Sequence, residues 1–324
     1  MIDKNTVFIL LASFNGEQFI AQQLDSLIAQ SYENWILIIR DDGSSDNTVT
    51  IIKKYLEQDK RISLIENKSD IKGACSNFSA LFDLVKNNDS ANYAMFCDQD
   101  DVWKPQKIEK YFAALQAMES EFNLQPVLIY GNFELMTSDG DYMPGNYKLL
   151  HNLCLRNLLS FNYVYGCTII MNRKLIEKIS HISIDAENHD YWIALVASIY
   201  KSKYIDDKLL KYRQHSSNAS GNVVGNSNFS SRLKRNILSP GKEIENLKVR
   251  LKMLTSFYHK YHNLLPLAER QILETYLKAF TINRFRVLSV MWHEKIFRKG
   301  FFQTLASFLQ ILFFYGSIRS ETAL

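Results

Sequence analysis

Short apolar runs alternate with amphipathic segments over the first 120 residues. Four runs are too short and too continuously apolar for helices, and they are typical of buried strands: residues 7–12, 35–39, 62–65 and 93–97. Between them, apolar residues recur at helical spacing, which predicts helices over residues 19–28, 49–56 and 77–85, with another beginning at Pro105. Regular alternation of strand and helix predicts a parallel, doubly wound α/β sheet.

The pattern changes after residue 120. Residues 127–136 and 164–171 are predicted to be strands with longer connections, and residues 216–231 are rich in Ser, Asn and Gly, as in a linker. From residue 231 the pattern is mainly helical. We therefore predict an α/β domain over residues 1–220, with halves 1–120 and 121–220, and a helical region over residues 221–324.

Composition narrows the class of protein. The chain has 324 residues, 47% of them hydrophobic and 22% charged, which excludes a disordered or fibrous protein. Its four cysteines have no CxxC spacing, so we expect reduced thiols and no zinc site. No basic segment followed by an apolar stretch precedes the first strand, and we expect a cytoplasmic protein.

The net charge of +4 is unevenly distributed. Residues 231–300 hold 15 Lys and Arg against 5 Glu, an excess of +10, whereas residues 1–230 hold 22 basic against 28 acidic residues, or −6. The basic part precedes the apolar stretch 301–318. A basic region beside an apolar helix predicts peripheral contact with the cytoplasmic face of a membrane, although the stretch could also pack on the protein or form a dimer interface. We find no nucleic-acid-binding motif and expect no nucleic acid as partner.

Polar side chains follow the predicted strands. Ser13 and Asn15 follow the first strand, and Asp41 and Asp42 follow the second strand. The fourth strand is followed by three aspartates: Asp98, Asp100 and Asp101. Ligands of open parallel sheets bind at the carboxyl ends of the strands. Carboxylates converging there repel one another unless a cation compensates them, so the pattern predicts Mg²⁺ or Mn²⁺ with a diphosphate-bearing substrate.

An alternative arises from the same residues. The sequence from Asp98 to Val102 also fits the DxDxV pattern of phosphotransferases and phosphohydrolases that use an aspartate nucleophile, here Asp98. Their motif normally follows the first strand of the core, and this reading gives Asp41 and Asp42 no role. A non-catalytic membrane- or nucleic-acid-binding protein on a degenerate α/β domain is a third, less favoured, possibility.

Three motifs in this order resemble the signatures of family 2 glycosyltransferases, and most of all their bacterial rhamnosyltransferase-like branch. They are Ala12-Ser13-Phe14-Asn15-Gly16, Asp41-Asp42-Gly43-Ser44-Ser45-Asp46 and Asp98-Gln99-Asp100-Asp101-Val102-Trp103. The resemblance covers roughly residues 5–220. It implies a GT-A fold, with a mostly parallel nucleotide-binding sheet flanked by helices, and a catalytic domain that ends near residue 220.

The resemblance also assigns roles near the nucleotide. It implies nucleotide binding by the residues around three strand ends and by the Asn of a Gly-x-x-x-Asn element: Ser13, Asn15, Asp41, Asp42, Asn77 and Asp98. Asp100 matches the metal ligand of the family's DxD element. His215, in the segment that begins at Tyr212, is a candidate second metal ligand, and Arg213 could pair with diphosphate oxygens.

The remaining roles fall in the second half of the chain. The sequence His189-Asp190-Tyr191-Trp192 corresponds to the family's His-Asp-x-Trp segment, which makes Asp190 the candidate general base. Tyr191, Trp192 and Gly166 are the candidate acceptor-binding residues.

The predicted activity follows from these assignments. It is inverting transfer of rhamnose or another hexose from a TDP- or UDP-linked sugar to a hydroxyl group of a growing cell-surface glycan or lipid-linked oligosaccharide.

Overall fold

The computed structural model describes residues 2–144, 149–215, 241–298 and 300–318. The predicted linker over residues 216–231 lies outside the described residues. Contacts divide the chain into two compact units, one formed by residues 1–152, 164–182 and 200–224, and the other by residues 153–163, 183–199 and 225–324. The functional division predicted at residue 220 stays a prediction.

A seven-stranded sheet forms the centre of the first unit. Its strands are β1 (Val7–Ser13), β2 (Trp35–Asp41), β3 (Ile62–Glu66), β4 (Tyr93–Asp98), β6 (Val127–Gly131), β9 (Ile169–Asn172) and β10 (Lys201–Ile205), in the order β10-β6-β9-β4-β1-β2-β3. Only β9 runs antiparallel to its neighbours. The predicted parallel arrangement of the first four strands is confirmed.

Burial of both faces explains why β1 and β4 are continuously apolar. Ile9 and Leu10 of β1, whose side chains point to opposite faces of the sheet, are both completely buried, as are Met95 and Phe96 of β4. The flanking helices are α1 (Ile20–Ile28), α2 (Thr48–Gln58), α3 (Ala74–Lys86), α4 (Lys107–Glu121) and α6 (Arg173–Ile179). A small second sheet has the order β5 (Val102–Trp103), β11 (Leu210–Arg213), β7 (Glu134–Met136) and β8 (Tyr142–Met143).

Two predicted strands are shorter than expected. The run 127–136 divides into β6 and β7, which belong to different sheets, because the side chain of Asn132 accepts a hydrogen bond from the Phe133 amide (2.9 Å) and the chain turns there. The run 164–171 begins with a 3₁₀ turn (Gly166–Thr168), closed by two hydrogen bonds from Thr168 to the Tyr165 carbonyl. No proline marks either turn in the sequence, and the single glycines beside them, Gly131 and Gly166, do not by themselves fix where a strand ends.

The second unit is helical. It contains α5 (Leu155–Leu158), α7 (His189–Ala197), α8 (Gly241–Tyr261), α9 (Leu267–Ile282), α10 (Arg284–His293) and α11 (Phe301–Ile318). In length and composition, α11 qualifies as a membrane-spanning helix, which is weak evidence by itself. Its Phe301 is 76% exposed and its Phe302 56%, while Ile311 and Ile318 are buried within the unit. The helix therefore has one buried and one exposed apolar face.

Candidate active site

Three strand ends lie side by side at one edge of the large sheet. Ser13 of β1 is in register with Asp41 of β2, and Ala12 of β1 is in register with Asp98 of β4. The polar residues predicted at strand ends are thus brought together by the parallel pairing itself. All are in the first unit.

Asp41 shapes the turn after β2. Its carboxylate accepts hydrogen bonds from the Ser13 hydroxyl (3.0 Å), the Ser44 hydroxyl (2.6 Å) and the Gly43 and Ser44 amides (3.0 and 2.8 Å). Gly43 adopts a φ of +83°, which glycine tolerates without steric cost. These four donors fix the shape of the turn, and direct nucleotide contacts by Asp41 and Ser13 stay predictions.

Asp42 and Asn77 join neighbouring segments. Asp42 accepts hydrogen bonds from the Gly73 amide (2.6 Å) and the Asn67 side chain (2.7 Å), which fixes the loop before α3 beside the strand end. Asn77 is buried, accepts a hydrogen bond from Arg40 Nη1 (2.8 Å) and donates one to the Arg40 carbonyl (2.9 Å). Its amide group is therefore committed to protein partners. Direct nucleotide contacts by Asp42 and Asn77 stay predictions.

The turn after β1 is held by Gln99, which sequence reasoning missed. Its amide group makes a reciprocal pair of 2.9 Å hydrogen bonds with the Phe14 backbone, and Asn15 Oδ1 accepts from the Ser45 amide (2.9 Å). A Cβ on Gly16 would lie only 2.2 Å from Gln99 Oε1, which explains the glycine. These bonds leave Phe14 51% exposed at the rim, where its ring can stack on a flat ligand.

Acidic side chains concentrate after β4. Asp101 is almost completely buried; its Oδ1 accepts a hydrogen bond from the Arg213 amide (3.0 Å), and its Oδ2 has no hydrogen-bond partner among the described residues. Burial raises the pKa of Asp101 well above its usual range, and the charges of Asp100 and Asp98 raise it further. Carboxylate atoms of Asp98 and Asp101 and the sulfur of Cys167 lie within 4.8 Å of one another. A cation here would relieve the repulsion between the carboxylates.

Asp100 and His215, the predicted metal ligands, are in contact. The Asp100 Oδ2 atom is 2.7 Å from His215 Nε2, and both side chains are 15% exposed, so only a small part of the pair reaches solvent. The Phe19 ring packs against the imidazole at a centroid distance of 4.9 Å. The metal role of both residues stays a prediction.

Arg213 positions this pair. The guanidinium group is buried and donates hydrogen bonds to the carbonyls of Asp100 (2.7 Å) and Ser138 (2.7 Å) and to the side chain of Gln22. It also lies over the Phe19 ring, 4.7 Å from the centroid. Its donors therefore hold the chain around Asp100, which differs from the diphosphate contact expected from the sequence.

Lys107 is a cation beneath the acidic rim that sequence reasoning also missed. Its Nζ atom is fully buried, donates to the Cys167 carbonyl (2.6 Å) and lies 3.3 Å from the centroid of the Trp103 ring. Burial lowers the pKa of Lys107 to about 8, although the charges of Asp101 and Asp98 oppose the shift. A lysine in the first turn of a helix gives no sequence signal for burial, since such residues are usually exposed.

Asp190, the candidate base, lies in the first turn of α7 in the helical unit. The side chain is partly exposed, and its Oδ1 accepts a hydrogen bond from Asn162 Nδ2 (3.0 Å). A carboxylate in the first helical turn is stabilised by the amide dipoles of the helix. Its exposure permits contact with a substrate hydroxyl group.

The expected acceptor wall is wrong for Tyr191 and Trp192. Each side chain is only 1% exposed; the Tyr191 hydroxyl donates to the Leu158 carbonyl, and the Trp192 ring packs edge-on against Phe257. An apolar helix with a polar first turn buries such aromatics in the core, so neither residue can receive a sugar. Gly166 is buried in the 3₁₀ turn before β9, and its acceptor role stays a prediction.

Comparison with known proteins identifies the class. The family described as Glycosyl transferase family 2 matches residues 8–180, just over half of the chain, and the protein belongs to this family. It is accordingly a glycosyltransferase that uses a nucleotide-sugar donor, as predicted.

Two curated relatives and one solved structure agree with this assignment. The chain is 29% identical over 243 residues to the dTDP-rhamnosyl transferase RfbG of Shigella flexneri, covering 69% of this chain and 77% of the relative. It is 27% identical over 196 residues to the Escherichia coli UDP-Glc:alpha-D-GlcNAc-diphosphoundecaprenol beta-1,3-glucosyltransferase WfgD, covering 60% of this chain and 71% of the relative. The crystal structure of S. aureus TarS 1–349 with UDP-GlcNAc superimposes with a TM-score of 0.54 at 13% identity over 90% of each chain. The predicted GT-A fold class is confirmed.

Proposed function

We propose that the protein transfers a hexose, with inversion at the anomeric carbon, from a TDP- or UDP-sugar to a hydroxyl group of a lipid-linked cell-surface glycan. The alignment of Ser13, Asp41 and Asp98 by the strand register carries this proposal, because it places the nucleotide motif beside the DxD element. The relatives RfbG and WfgD, named for dTDP-rhamnose and UDP-glucose transfer, support either nucleotide.

The acidic residues after β4 fit a divalent cation. The observation is the buried Asp101 Oδ2 atom without a hydrogen-bond partner among the described residues, next to Asp98. Carboxylate and imidazole donors suit Mn²⁺ or Mg²⁺, which Asp100 and His215 would hold, with Asp98 toward the ribose. When bound, the metal supplies positive charge to the leaving diphosphate.

The protein residues supply the remaining chemistry. Asp190 takes the proton from the acceptor hydroxyl as that oxygen attacks the anomeric carbon, and the bond to the diphosphate oxygen breaks. The hydrogen bond from Asn162 to Asp190 Oδ1 orients this carboxylate in the first turn of α7. Arg213 and Gln99 keep Asp100 and the Phe14 turn in position, so that little reorganisation accompanies the reaction.

The helical unit is the proposed site of membrane contact. Phe285, Trp292, Phe301 and Phe302 are each more than half exposed, and the sequence around them is basic. Exposed aromatics beside cations are typical of helices that lie in the interface of an anionic bilayer. A lipid-linked acceptor, as in the name of the relative WfgD, would then be reached from the cytoplasmic face of the cell membrane.

The test of this function is release of nucleoside diphosphate from a panel of TDP- and UDP-sugars, with and without Mn²⁺. We expect Asp100→Asn to abolish both turnover and metal-dependent nucleotide binding, because the proposed ligand loses its charge. Asp89→Asn, at a fully exposed side chain, is the matched control. Wild-type metal and nucleotide affinity in Asp100→Asn would contradict the metal assignment, and release of inorganic phosphate in place of nucleoside diphosphate would favour the phosphohydrolase alternative.

A further inference from the structure

A small polar cavity lies inside the helical unit, far along the chain from every residue of the nucleotide motifs. It has a volume of about 30 Å³, enough for about two or three water molecules or one tetrahedral phosphate group. Four helices and two loops line it, and the polar residues among its lining are Ser160, Glu243, Asn246, Arg250, Tyr276, Arg298, Ser307 and Gln310.

Arg250 is a fixed and neutralised cation in this lining. Its Nε and Nη2 atoms donate to the two carboxylate oxygens of Glu187, both at 3.0 Å, and its Nη1 atom donates to the Ser160 carbonyl at 2.7 Å. Such a two-pronged ion pair holds the guanidinium in one orientation. Arg250 therefore forms a rigid wall.

Arg298 is the cation that lacks such compensation. Its Nε atom reaches the same Ser160 carbonyl at 3.4 Å, and no carboxylate oxygen of the described residues lies within 4.0 Å of its guanidinium nitrogens. Burial lowers the pKa of Arg298 and the like charge of Arg250 lowers it further, while the charges of Glu243 and Glu187 oppose the shift from a distance. Glu243, the one acidic residue of the lining, lies beyond ion-pair distance. Glu187 compensates the charge of Arg250, and an anion bound beside Arg298 would reduce the repulsion that remains between the two guanidinium groups.

Tyr276 adds a hydroxyl donor. Its side chain is 2% exposed and lines the cavity. Burial raises the pKa of Tyr276 to about 12, against the opposing charges of Arg250 and Arg298, so the hydroxyl keeps its proton at neutral pH. The side-chain amides of Asn246 and Gln310 offer further donors at the wall.

We propose that this cavity binds one phosphate group, either free or at the end of a larger molecule, with Arg298 and Tyr276 as its principal donors. A guanidinium group and several neutral donors surround a space for one tetrahedral group. This arrangement suits a phosphate group better than it suits a planar carboxylate. The group could belong to a lipid, since exposed Phe301 and Phe302 lie on a helix that also lines the cavity, or to a soluble phosphate. This site does not depend on the proposed transfer reaction.

The test measures binding by the full-length protein. Melting temperatures are recorded with inorganic phosphate, pyrophosphate or chloride at equal ionic strength, and co-sedimentation is measured with vesicles containing phosphatidic acid or, at equal surface charge, phosphatidylglycerol. We expect Arg298→Gln to weaken binding about tenfold or more, the usual cost of losing hydrogen bonds to a charged group. Arg286→Gln, an exposed arginine whose loss changes the net charge equally, should bind normally.

Each outcome decides between sources or overturns the site. Stabilisation by phosphate or pyrophosphate that Arg298→Gln alone loses supports a soluble anion, and an Arg298-dependent preference for phosphatidic acid supports a lipid headgroup. Equal losses in the two arginine variants, or no response of the wild type to any probe, overturn the proposal. Should Arg298→Gln fail to fold, Gln310→Glu is the second variant, because it places a carboxylate in the lining of the cavity. We expect Gln310→Glu to have a higher melting temperature than the wild type in the absence of phosphate. A lower melting temperature overturns the proposal.

Discussion

Individual carboxylates in this enzyme have different tasks because their surroundings differ. Asp41 accepts four hydrogen bonds and shapes a turn, and Asp100 contacts His215 at the rim. Asp190 is partly exposed in the first turn of a helix. Residue type alone would give all three the same role. The structure separates Asp41 from Asp100 by their partners, since four donors occupy the Asp41 carboxylate whereas the Asp100 carboxylate contacts an imidazole.

Replacement of Asp190 tests its role as the base. We expect Asp190→Asn to lower kcat by roughly 10²–10⁴-fold, the usual contribution of general-base catalysis, because the amide keeps the size of the side chain and loses its basicity. Donor affinity, measured by calorimetry with the nucleoside diphosphate, should stay at the wild-type value. Unchanged kcat would remove Asp190 from the mechanism, and Asp89→Asn again serves as the control.

His189 makes the stability of the enzyme depend on pH. Burial lowers the pKa of His189 to about 3, whereas in the unfolded chain the imidazole has its ordinary value of 6.5. Below pH 6.5 the imidazole of the unfolded chain binds a proton, whereas the buried imidazole of the folded protein stays neutral. The stabilisation present above pH 6.5 is therefore lost as the pH falls. From pH 7 to pH 5 this residue should reduce the free energy of unfolding by about 2 kcal/mol.

Urea unfolding at the two pH values measures this effect. Between pH 7 and pH 5, we expect the free energy of unfolding of His189→Gln to fall by about 2 kcal/mol less than that of the wild type, because glutamine does not titrate. His293→Gln, at an exposed histidine, should behave like the wild type. Equal pH dependence in His189→Gln and the wild type would mean that the imidazole is protonated in the folded protein.

At the scale of elements, the turn after β1 is fixed by a residue that follows β4. Gln99 clamps the Phe14 backbone, and Gly16 leaves the space that the Gln99 amide occupies. Gly16→Ala should therefore displace Gln99 and weaken nucleoside diphosphate binding by about 1 kcal/mol, near the worth of one or two hydrogen bonds. Gln99→Ala should cause a similar loss.

A double-mutant cycle distinguishes a shared cause from two separate ones. Because both substitutions break the same contact, the double variant should bind about as well as Gln99→Ala alone. Gly241→Ala, where an added Cβ meets nothing within 4 Å, is the control. Additive losses in the double variant would show that Gly16 and Gln99 act independently.

Elements with one strong pattern could be predicted, whereas bends and long-range partners could not. Strands β1 to β4 were evident from their apolar runs, and the polar residues at their ends follow from parallel pairing. Asn132, where the strand breaks, also donates hydrogen bonds to Ile205 and Asp206, and Lys107 is buried against the Cys167 carbonyl; all these partners are distant in sequence. Trp192 was misassigned because an aromatic residue beside a catalytic motif has the same sequence pattern whether it faces a sugar or Phe257.

At the scale of the whole molecule, membrane attachment can be tested without shortening the chain. We expect the double variant Phe301→Ser and Phe302→Ser to lose most of its co-sedimentation with anionic vesicles at low salt, since two exposed rings leave the proposed interface. Leu124→Ser, at another exposed apolar side chain in the first unit, should sediment like the wild type. Co-sedimentation of all three proteins to the same extent would place the contact elsewhere.

The packing of Trp192 has a consequence for how the enzyme is made on the ribosome. The helix that carries Asp190 emerges early, but the aromatic partners of Trp192, Phe257 and Tyr261, are translated some sixty or more residues later. Until α8 has left the exit tunnel, the Trp192 side chain has no core to enter and offers a surface for chaperones. We therefore expect brief proteolysis of a nascent chain that stalls near residue 240 to cleave within α7. The sheet that contains β1 to β4 should resist cleavage under the same conditions.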